Sequence, residues 1–337
     1  MNLDYSRLLA AIDNFRNKNI LCIGDIMLDR YVYGDVNRIS PEAPVPVLSN
    51  IHEVYSLGAA GNVAKNIASL GAKVEFYAAT GTDSFGIRVK SLLEKESLIT
   101  SYIYTYKGDT TTKTRYISGN QQILRVDIDG KFVGVYSLPK NYEGIDCIII
   151  SDYCKGMIDN IYASKIIGPA IEKGIPVVVD SKNSNLAGFE GATVITPNLK
   201  ELASAVGCAV YGANDNDVRD SANALLLKSK INNVLVTRSE YGMSLVNSES
   251  VHHIPVFEQE VYDVTGAGDT VAAIVALGLA SGLSMYEASY LANIAAAIVV
   301  CKRGTAVVVP SELKQKTLAI MDSHYVQSDI KNHLIVE

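Results

Sequence analysis

The chain has 337 residues, enough to bury a large core, and its 48% hydrophobic and 20% charged content is that of an ordinary globular protein. Its 30 Lys and Arg against 36 Asp and Glu leave a formal net charge of -6, which gives no electrostatic reason to expect nucleic acid or an anionic membrane as partner. No uninterrupted apolar stretch reaches the roughly 18 residues of a membrane span. The start of the chain carries Asp4 and Asp13 without an apolar core, so no secretory signal is expected and the cytoplasm is the expected compartment.

In chain order, 19–24 (NILCIG) is a short apolar run that suits a strand buried on both faces of a parallel sheet. The segment 30–57 is rich in Tyr, Val and Pro and lacks a helical period. A helical pattern over 61–71 leads to a strand over 74–81 and a helix over 85–97. The segment 101–127, with TTTKTRYI, again alternates β-branched or aromatic residues with polar ones. Strands are then expected over 146–151, 176–180, 193–198 and 233–239, with helices over 160–174, 198–207 and 218–229. The chain after Val264 reads as mostly helical. Such alternation predicts an α/β fold with a doubly wound, mostly parallel sheet flanked by helices, in a single domain over 1–337. The segments 30–57 and 101–127 are expected as a small inserted β-sheet, either a lid over the active site or an edge used in oligomer contacts. A lid that also pairs with its copy satisfies both, and predicts a homodimer.

Cys22, Cys147, Cys154, Cys208 and Cys301 occur without a CxxC pair and are expected as buried reduced thiols, not as a disulfide frame or zinc site. His252 and His253 are adjacent, so on a strand they face opposite ways and cannot easily share a metal.

The stretch EVYDVTGAGDTVAAIVALGLASG (260–282) sets an acid between a Gly-Ala-Gly turn and a helical run. There is no GxxxxGK[ST], and Val271 stands where a dinucleotide fingerprint needs its third glycine. Gly266, Gly268 and the helix N-terminus would make an anion site. Asp269 is then either a first-turn acid favoured by the helix dipole or a general base that takes the proton of an attacking hydroxyl. An acid beside an anion site is unfavourable without a task, and this favours the base.

DVTGAGDTVAA resembles the C-terminal signature of the ribokinase-like (PfkB) carbohydrate kinases. GDIMLDRYVYGDVNRISPEAPVPV, NVAKNIASLGA, NQQILRVD, SDYCKG, TPNLKE and VTRSEYGMSL extend the similarity over nearly the whole chain. LDRY and RISPEAPVPV resemble the branch of D-glycero-β-D-manno-heptose 7-phosphate kinases. No HxGH motif is present, so the pattern resembles a kinase-only form without the nucleotidyltransferase domain. The resemblance implies ATP-dependent phosphorylation of a sugar phosphate at its anomeric hydroxyl, in ADP-heptose and lipopolysaccharide core synthesis. It implies Asp269 as base with Gly266, Ala267 and Gly268 as anion hole. Asn198, Lys200 and Glu201 would meet ATP phosphate, with Glu201 organising Mg²⁺ through water, and Asn198 also reads as a helix cap. Thr237, Ser239, Gly242 and Asn293 would line the nucleotide, and Asp29, Gly58 and Asn62 the sugar. Asp263 and Thr265 resemble ligands of a monovalent cation, potassium, in some relatives.

Two positions depart from the family pattern: Ala59 stands at the second glycine of a Gly-Gly pair, and Ser181 replaces the proline of Asp-Pro-Lys. The substrate's phosphate needs a local cationic cluster, for which Arg30, Arg38, Lys113, Arg115, Arg125, Lys155 and Lys182 are available and Arg38 and Arg115 are chosen. A kinase of an unphosphorylated ribose- or fructose-like sugar, or a non-catalytic sugar or nucleotide sensor, is the alternative; the joint presence of base, anion turn and Glu201 favours the enzyme.

Overall fold

The computed structural model describes residues 3–132, 138–139, 141–257 and 260–334. Helix α1 (Tyr5–Asn14) leads into β1 (Asn19–Gly24), and β2 (Ile26–Ile39) and β3 (Pro46–Ala59) follow as a long hairpin. After α2 (Ala60–Ser69) come β4 (Lys73–Gly81), α3 (Ser84–Leu93), β5 (Ile99–Tyr106), β6 (Thr112–Ser118) and β7 (Gln121–Ile128). Next are β8 (Cys147–Asp152), α4 (Asn160–Glu172), β9 (Val177–Ser181), β10 (Val194–Ile195), α5 (Leu199–Val206), α6 (Asp215–Ser229) and β11 (Asn233–Thr237). Strands β12 (Met243–Asn247) and β13 (Val251–Ile254) precede three helices, α7 (Ala267–Ala280), α8 (Met285–Val299) and α9 (Pro310–Leu334).

Among the described residues these strands form two sheets. The larger has the order β13-β12-β11-β10-β9-β8-β1-β4-β5, parallel from β11 to β5, with β12 and β13 antiparallel at one edge. Every residue of β8 and β9 is buried, as expected where helices cover both faces. On one face Ile20, Cys22 and Ile149 pack with α2, α7 and α8; on the other Leu21, Ile23, Ile148 and Ile150 pack with α4, α5 and α6. The chain steps from β1 to β4 on one side and to β8 on the other. A crevice therefore opens beyond the carboxyl ends of β1 and β8, the place where open α/β sheets bind ligands.

The smaller sheet has the order β3-β2-β6-β7, with β2 and β6 parallel and both outer pairs antiparallel. It begins at Ile26 and takes in Thr112–Ile128, so the expected inserted sheet exists with altered bounds. Residues 101–106 do not belong to it. They lie in β5, which pairs in parallel with β4 from Val74↔Ile99 to Gly81↔Tyr106. An edge strand half open to solvent shows the same polar–apolar alternation as a separate antiparallel sheet, and this is why the pattern misled.

Two further expectations change. The strand over 193–198 shrinks to β10, because Pro197 offers no N–H to a ladder and Asn198 caps α5. All five cysteines are free, but only Cys22 and Cys147 are buried; Cys154, Cys208 and Cys301 are exposed, lying at turns and helix ends. Among the described residues no helix is long and apolar enough to cross a membrane.

Candidate active site

The crevice gathers acids from separate strands. Asp25, just past β1, is buried and accepts the backbone N–H groups of Tyr153 (2.8 Å), Lys155 (3.0 Å) and Met157 (3.1 Å). Burial pushes its carboxyl up to about 6 against the pull of those donors. Three N–H groups on one carboxylate fix the loop after β8, and this loop presents Tyr153.

Tyr153 donates its hydroxyl to Asp269 Oδ1 at 2.8 Å, and Asn62 Nδ2 donates to Asp269 Oδ2 at 2.7 Å. Asp269 lies in the first turn of α7 and is only 5% exposed. It stands where the helix dipole favours an acid, and its oxygens are also engaged by side chains from α2 and from the loop after β8. Burial, and next the charge of Asp180, raise its pKa to about 7, while Asn62, Tyr153 and Lys182 restrain the rise. A carboxylate titrating near neutrality can take a proton and return it, as a general base must.

The turn before it is built for close approach. Gly266 precedes α7 with φ of +80°, and a Cβ there would stand 2.7 Å from Asn62 Nδ2, the atom that holds the acid. At Gly268 a Cβ would meet nothing within 4 Å. The helix start is thus open at Gly268, where the N–H groups of Gly268 and Asp269 can meet incoming charge, while that of Ala267 is held by the Val264 carbonyl at 3.2 Å.

On the far side of the crevice, Asn198 caps α5 in a capping box: its Oδ1 accepts from Lys200 N and Glu201 N, and Glu201 Oε2 accepts from Asn198 N at 2.9 Å. Lys182 Nζ bridges Asp180 Oδ1 (2.9 Å) and Glu201 Oε1 (2.8 Å). Burial opposes its charge, yet the two carboxylates hold the ammonium well above its usual range. Asp180 Oδ2 is buried with no hydrogen-bond partner, an orphaned acceptor facing this cluster. Asn198 also bridges to Thr237, which joins two of the expected nucleotide residues. Ser239 starts a short turn at φ of +53°, and Gly242 closes it against the Ile254 carbonyl. Asn293, buried on α8, donates to the Pro255 carbonyl at 2.7 Å. The Lys200 side chain is exposed. Asp263 accepts from Thr265 N and Gly304 N, both at 2.9 Å; burial raises its carboxyl, but those bonds and the Arg115 charge hold it below the usual range.

The small sheet closes the crevice from above. Asp29 on β2 is 4% exposed and takes Arg115 Nη1 on Oδ1 at 2.5 Å. A Cβ at Gly58 would lie 2.5 Å from Asp29 Oδ2, so glycine is what lets the acid sit there. The structure brings Asp29, Gly58, Asn62, Arg115 and Asp269 toward one cleft. It does not bring Arg38, which is exposed near the far end of β2, nine residues beyond Asp29 or roughly 30 Å at about 3.3 Å per residue. Arg30, Arg125 and Lys155 are paired with Glu53, Asp127 and Asp129.

Sequence reasoning missed Asp25 and Tyr153, although GD and SDYCKG are prominent strings. The Tyr153–Asp269 bond spans 116 residues, and no local spacing announces it. The only signal was position after a strand, where ligand-facing residues of α/β sheets gather.

Similarity to known proteins identifies the family. The description "pfkB family carbohydrate kinase" matches residues 17–312. The "Bifunctional protein HldE" of Caulobacter sp. (strain K31) is 43% identical over 307 residues, which are 89% of this chain. The chain spans 62% of that protein's length. The protein of the same name from Erwinia tasmaniensis is 39% identical over 335 residues, covering 97% of this chain and 69% of its own. Among solved structures, phosphofructokinase-2 from Escherichia coli in complex with potassium superposes with a TM-score of 0.71 at 20% identity, covering 90% of this chain and 99% of its own. Arabidopsis thaliana ribokinase complexed with ribose and ATP gives 0.72 at 18% identity, covering 89% and 98%. These two share the fold. The chain belongs to the pfkB family of carbohydrate kinases, and it is a sugar kinase.

Proposed function

We propose that this kinase transfers the γ-phosphoryl group of ATP to the anomeric hydroxyl of D-glycero-β-D-manno-heptose 7-phosphate, giving the heptose 1,7-bisphosphate used in ADP-heptose and lipopolysaccharide core synthesis. One observation carries the chemistry: a buried carboxylate titrating near 7, held from both sides, behind a glycine turn open to an anion. Asp269 takes the proton of the attacking hydroxyl. Asn62 and Tyr153 orient it, and the N–H groups of Gly268 and Asp269 at the helix start stabilise charge on the group in transfer. Asp29, fixed by Arg115 and Gly58, receives sugar hydroxyls.

The heptose reading rests on LDRY, RISPEAPVPV and SDYCKG, together with identities of 43% and 39% to proteins named HldE. When bound, Mg²⁺ neutralises ATP phosphate charge; Asp180 with its orphaned Oδ2 and Glu201 would hold it through water. Asp263 and Thr265 would hold potassium, the ion named for the phosphofructokinase-2 neighbour. A screen of sugars and sugar phosphates, read by ADP release, tests the function: heptose 7-phosphate should give the highest kcat/KM. Faster turnover of ribose or fructose would overturn the heptose assignment.

We also propose one cytoplasmic domain that pairs as a homodimer through the small sheet. All of β7 is exposed, and Leu124 is 54%, Val45 51% and Val126 41% exposed. Val36, Val45, Pro46, Leu48, Tyr116 and Leu124 line an apolar groove on this sheet. Light scattering should give a dimer at micromolar concentration, and Leu124→Lys should give a monomer. A wild-type monomer would remove this idea.

A further inference from the structure

We infer that Lys113 is the side chain that reads the substrate's own phosphate, an assignment that rests on the sugar-phosphate reading above. Register places Lys113 on β6 between Asp29 on β2 and Asp127 on β7, and places Arg115 beside Arg125 two residues on. Side chains alternate along strands, so Asp29, Lys113, Arg115, Arg125 and Asp127 share one face of the small sheet. That face looks into the crevice, because the Lys113 ammonium lies 5.7 Å from the centre of the Tyr153 ring, whose hydroxyl holds Asp269.

Charge on this face does not balance. Arg115 is committed to Asp29, and Arg125 holds Asp127 through Nε on Oδ1 at 2.7 Å and Nη2 on Oδ2. Among the sheet's own side chains three cations meet two carboxylates, while Asp263, outside the sheet, is acted on by Arg115; among the described residues Lys113 makes no ion pair. Lys182, which approaches the same tyrosine ring to 4.9 Å, is spent on Asp180 and Glu201. Lys113 keeps a ring contact, worth about 0.5–1 kcal/mol; burial, the largest influence, lowers its pKa, and the charges of Asp29 and Asp127 favour its ammonium without an ion pair. A half-buried ammonium whose nearby carboxylates are each bonded to an arginine is costly. A neutral sugar would leave it so; a sugar phosphate would supply the missing anion.

The same accounting displaces the arginines chosen from sequence. Arg38 is exposed at the distal end of β2, and Arg115 serves by holding Asp29. Lys113 stands one tyrosine side chain from the base. A substrate whose hydroxyl reaches Asp269 therefore presents its opposite, anionic end to the small sheet.

The test measures kcat and KM for heptose 7-phosphate and for unphosphorylated heptose with the wild type, Lys113→Met and Lys113→Arg, after checking by circular dichroism that each melts like the wild type. Lys113→Met should raise KM for the phosphorylated sugar tenfold or more, roughly 1.4 kcal/mol of binding. Its kcat/KM for unphosphorylated heptose and its KM for ATP should stay within twofold, and Lys113→Arg should recover most of the loss. A wild type that turns over both sugars equally would overturn the sugar-phosphate reading itself. A wild type that prefers the phosphorylated sugar, with Lys113→Met keeping that preference or losing both substrates alike, would overturn Lys113 alone.

Discussion

The two sheets meet at one cleft but handle charge in opposite ways. At the carboxyl ends of the large sheet, Asp25, Asp152 and Asp180 are 3%, 0% and 2% exposed, and Asp269 stands beside them at 5%. Here burial shifts titration, taking Asp25 to about 6 and Asp269 to about 7. On the small sheet the charges are arrayed in pairs, across strands as in Arg30 with Glu53 and along one strand as in Arg125 with Asp127 at 46% and 37% exposure, and such exposed pairs contribute little energy by themselves. The lesson is a division of labour. Proton chemistry needs a dry, crowded layer that fixes the pKa of one acid. Selection needs a patterned, reachable face whose charges an incoming substrate can complete. Changes on the large-sheet side should therefore alter kcat and pH dependence, and changes on the small sheet should alter KM.

The largest effect should come from Asp269→Asn, which breaks the chemical side alone. The turnover number should fall about 10²–10⁴-fold, the usual loss for a positioned general base, while ATP affinity stays within a few-fold. Wild-type kcat/KM should rise with pH through about 7 as Asp269 loses its proton, and this limb should vanish in the residual activity of the variant. Stability should move the other way. The folded pKa of about 7 lies above the ordinary 3.8, so ionising Asp269 costs stability progressively as pH rises between those values. The variant should melt above the wild type at pH 8 and converge with it near pH 4. Near-normal kcat in the pure variant would sink the assignment of the base.

A smaller effect sharpens the same side. Tyr153→Phe keeps the ring that Lys113 and Lys182 approach but deletes the donor to Asp269 Oδ1. That donor favours the ionised acid, so its loss should push the Asp269 pKa upward and displace the rising limb of kcat/KM to higher pH. Above the limb, activity should recover to within about tenfold, since one neutral hydrogen bond contributes about 1 kcal/mol net. A limb that stays in place, or moves to lower pH, would show that Tyr153 does not tune the acid.

How much of this was legible in the sequence follows from the range of the forces involved. Short apolar runs gave β1, β4, β8, β9 and β11, because strands covered on both faces leave continuous hydrophobic strings. The turn before α7 was legible because glycine and a first-turn acid are local signals. Strands β12 and β13 were not expected, since MSLVN and VHHI are short and mix polar with apolar residues, and β13 is a half-open edge. The attachment of β5 was misread for the same reason. Roles that depend on distant partners were hidden: Asp25 gathers N–H groups from residues 128 to 132 positions away, and the idle charge of Lys113 exists only once β2, β6 and β7 are side by side. Asn198 shows both readings at once, a cap by local geometry and a neighbour of Thr237 by topology.

The smallest effect lies at the junction of the two sheets. Ala59 ends β3 and begins α2, and so connects the small sheet to the helix that carries Asn62. Its backbone stands at φ +54° and ψ -130°, the region that a type II′ turn reserves for glycine. The sequence resemblance implies glycine here, and the backbone of Ala59 keeps a conformation that suits glycine. Holding a non-glycine residue there costs about 1–3 kcal/mol. Glycine in turn gives up about 0.5–1 kcal/mol through the greater freedom of its unfolded chain. Strain relief wins, so Ala59→Gly should stabilise the protein by about 1 kcal/mol and raise Tm by roughly 2 °C, given the modest response of a chain this long. Because Asp29 and Gly58, on the proposed sugar side, are already fixed against each other, KM for heptose 7-phosphate should change less than twofold. A lower Tm would mean that the buried methyl, 6% exposed, contributes more by packing than its backbone angle costs. A tenfold change in KM would mean instead that the junction sets how the small sheet meets the crevice, and the division of labour between the sheets would fail at that residue.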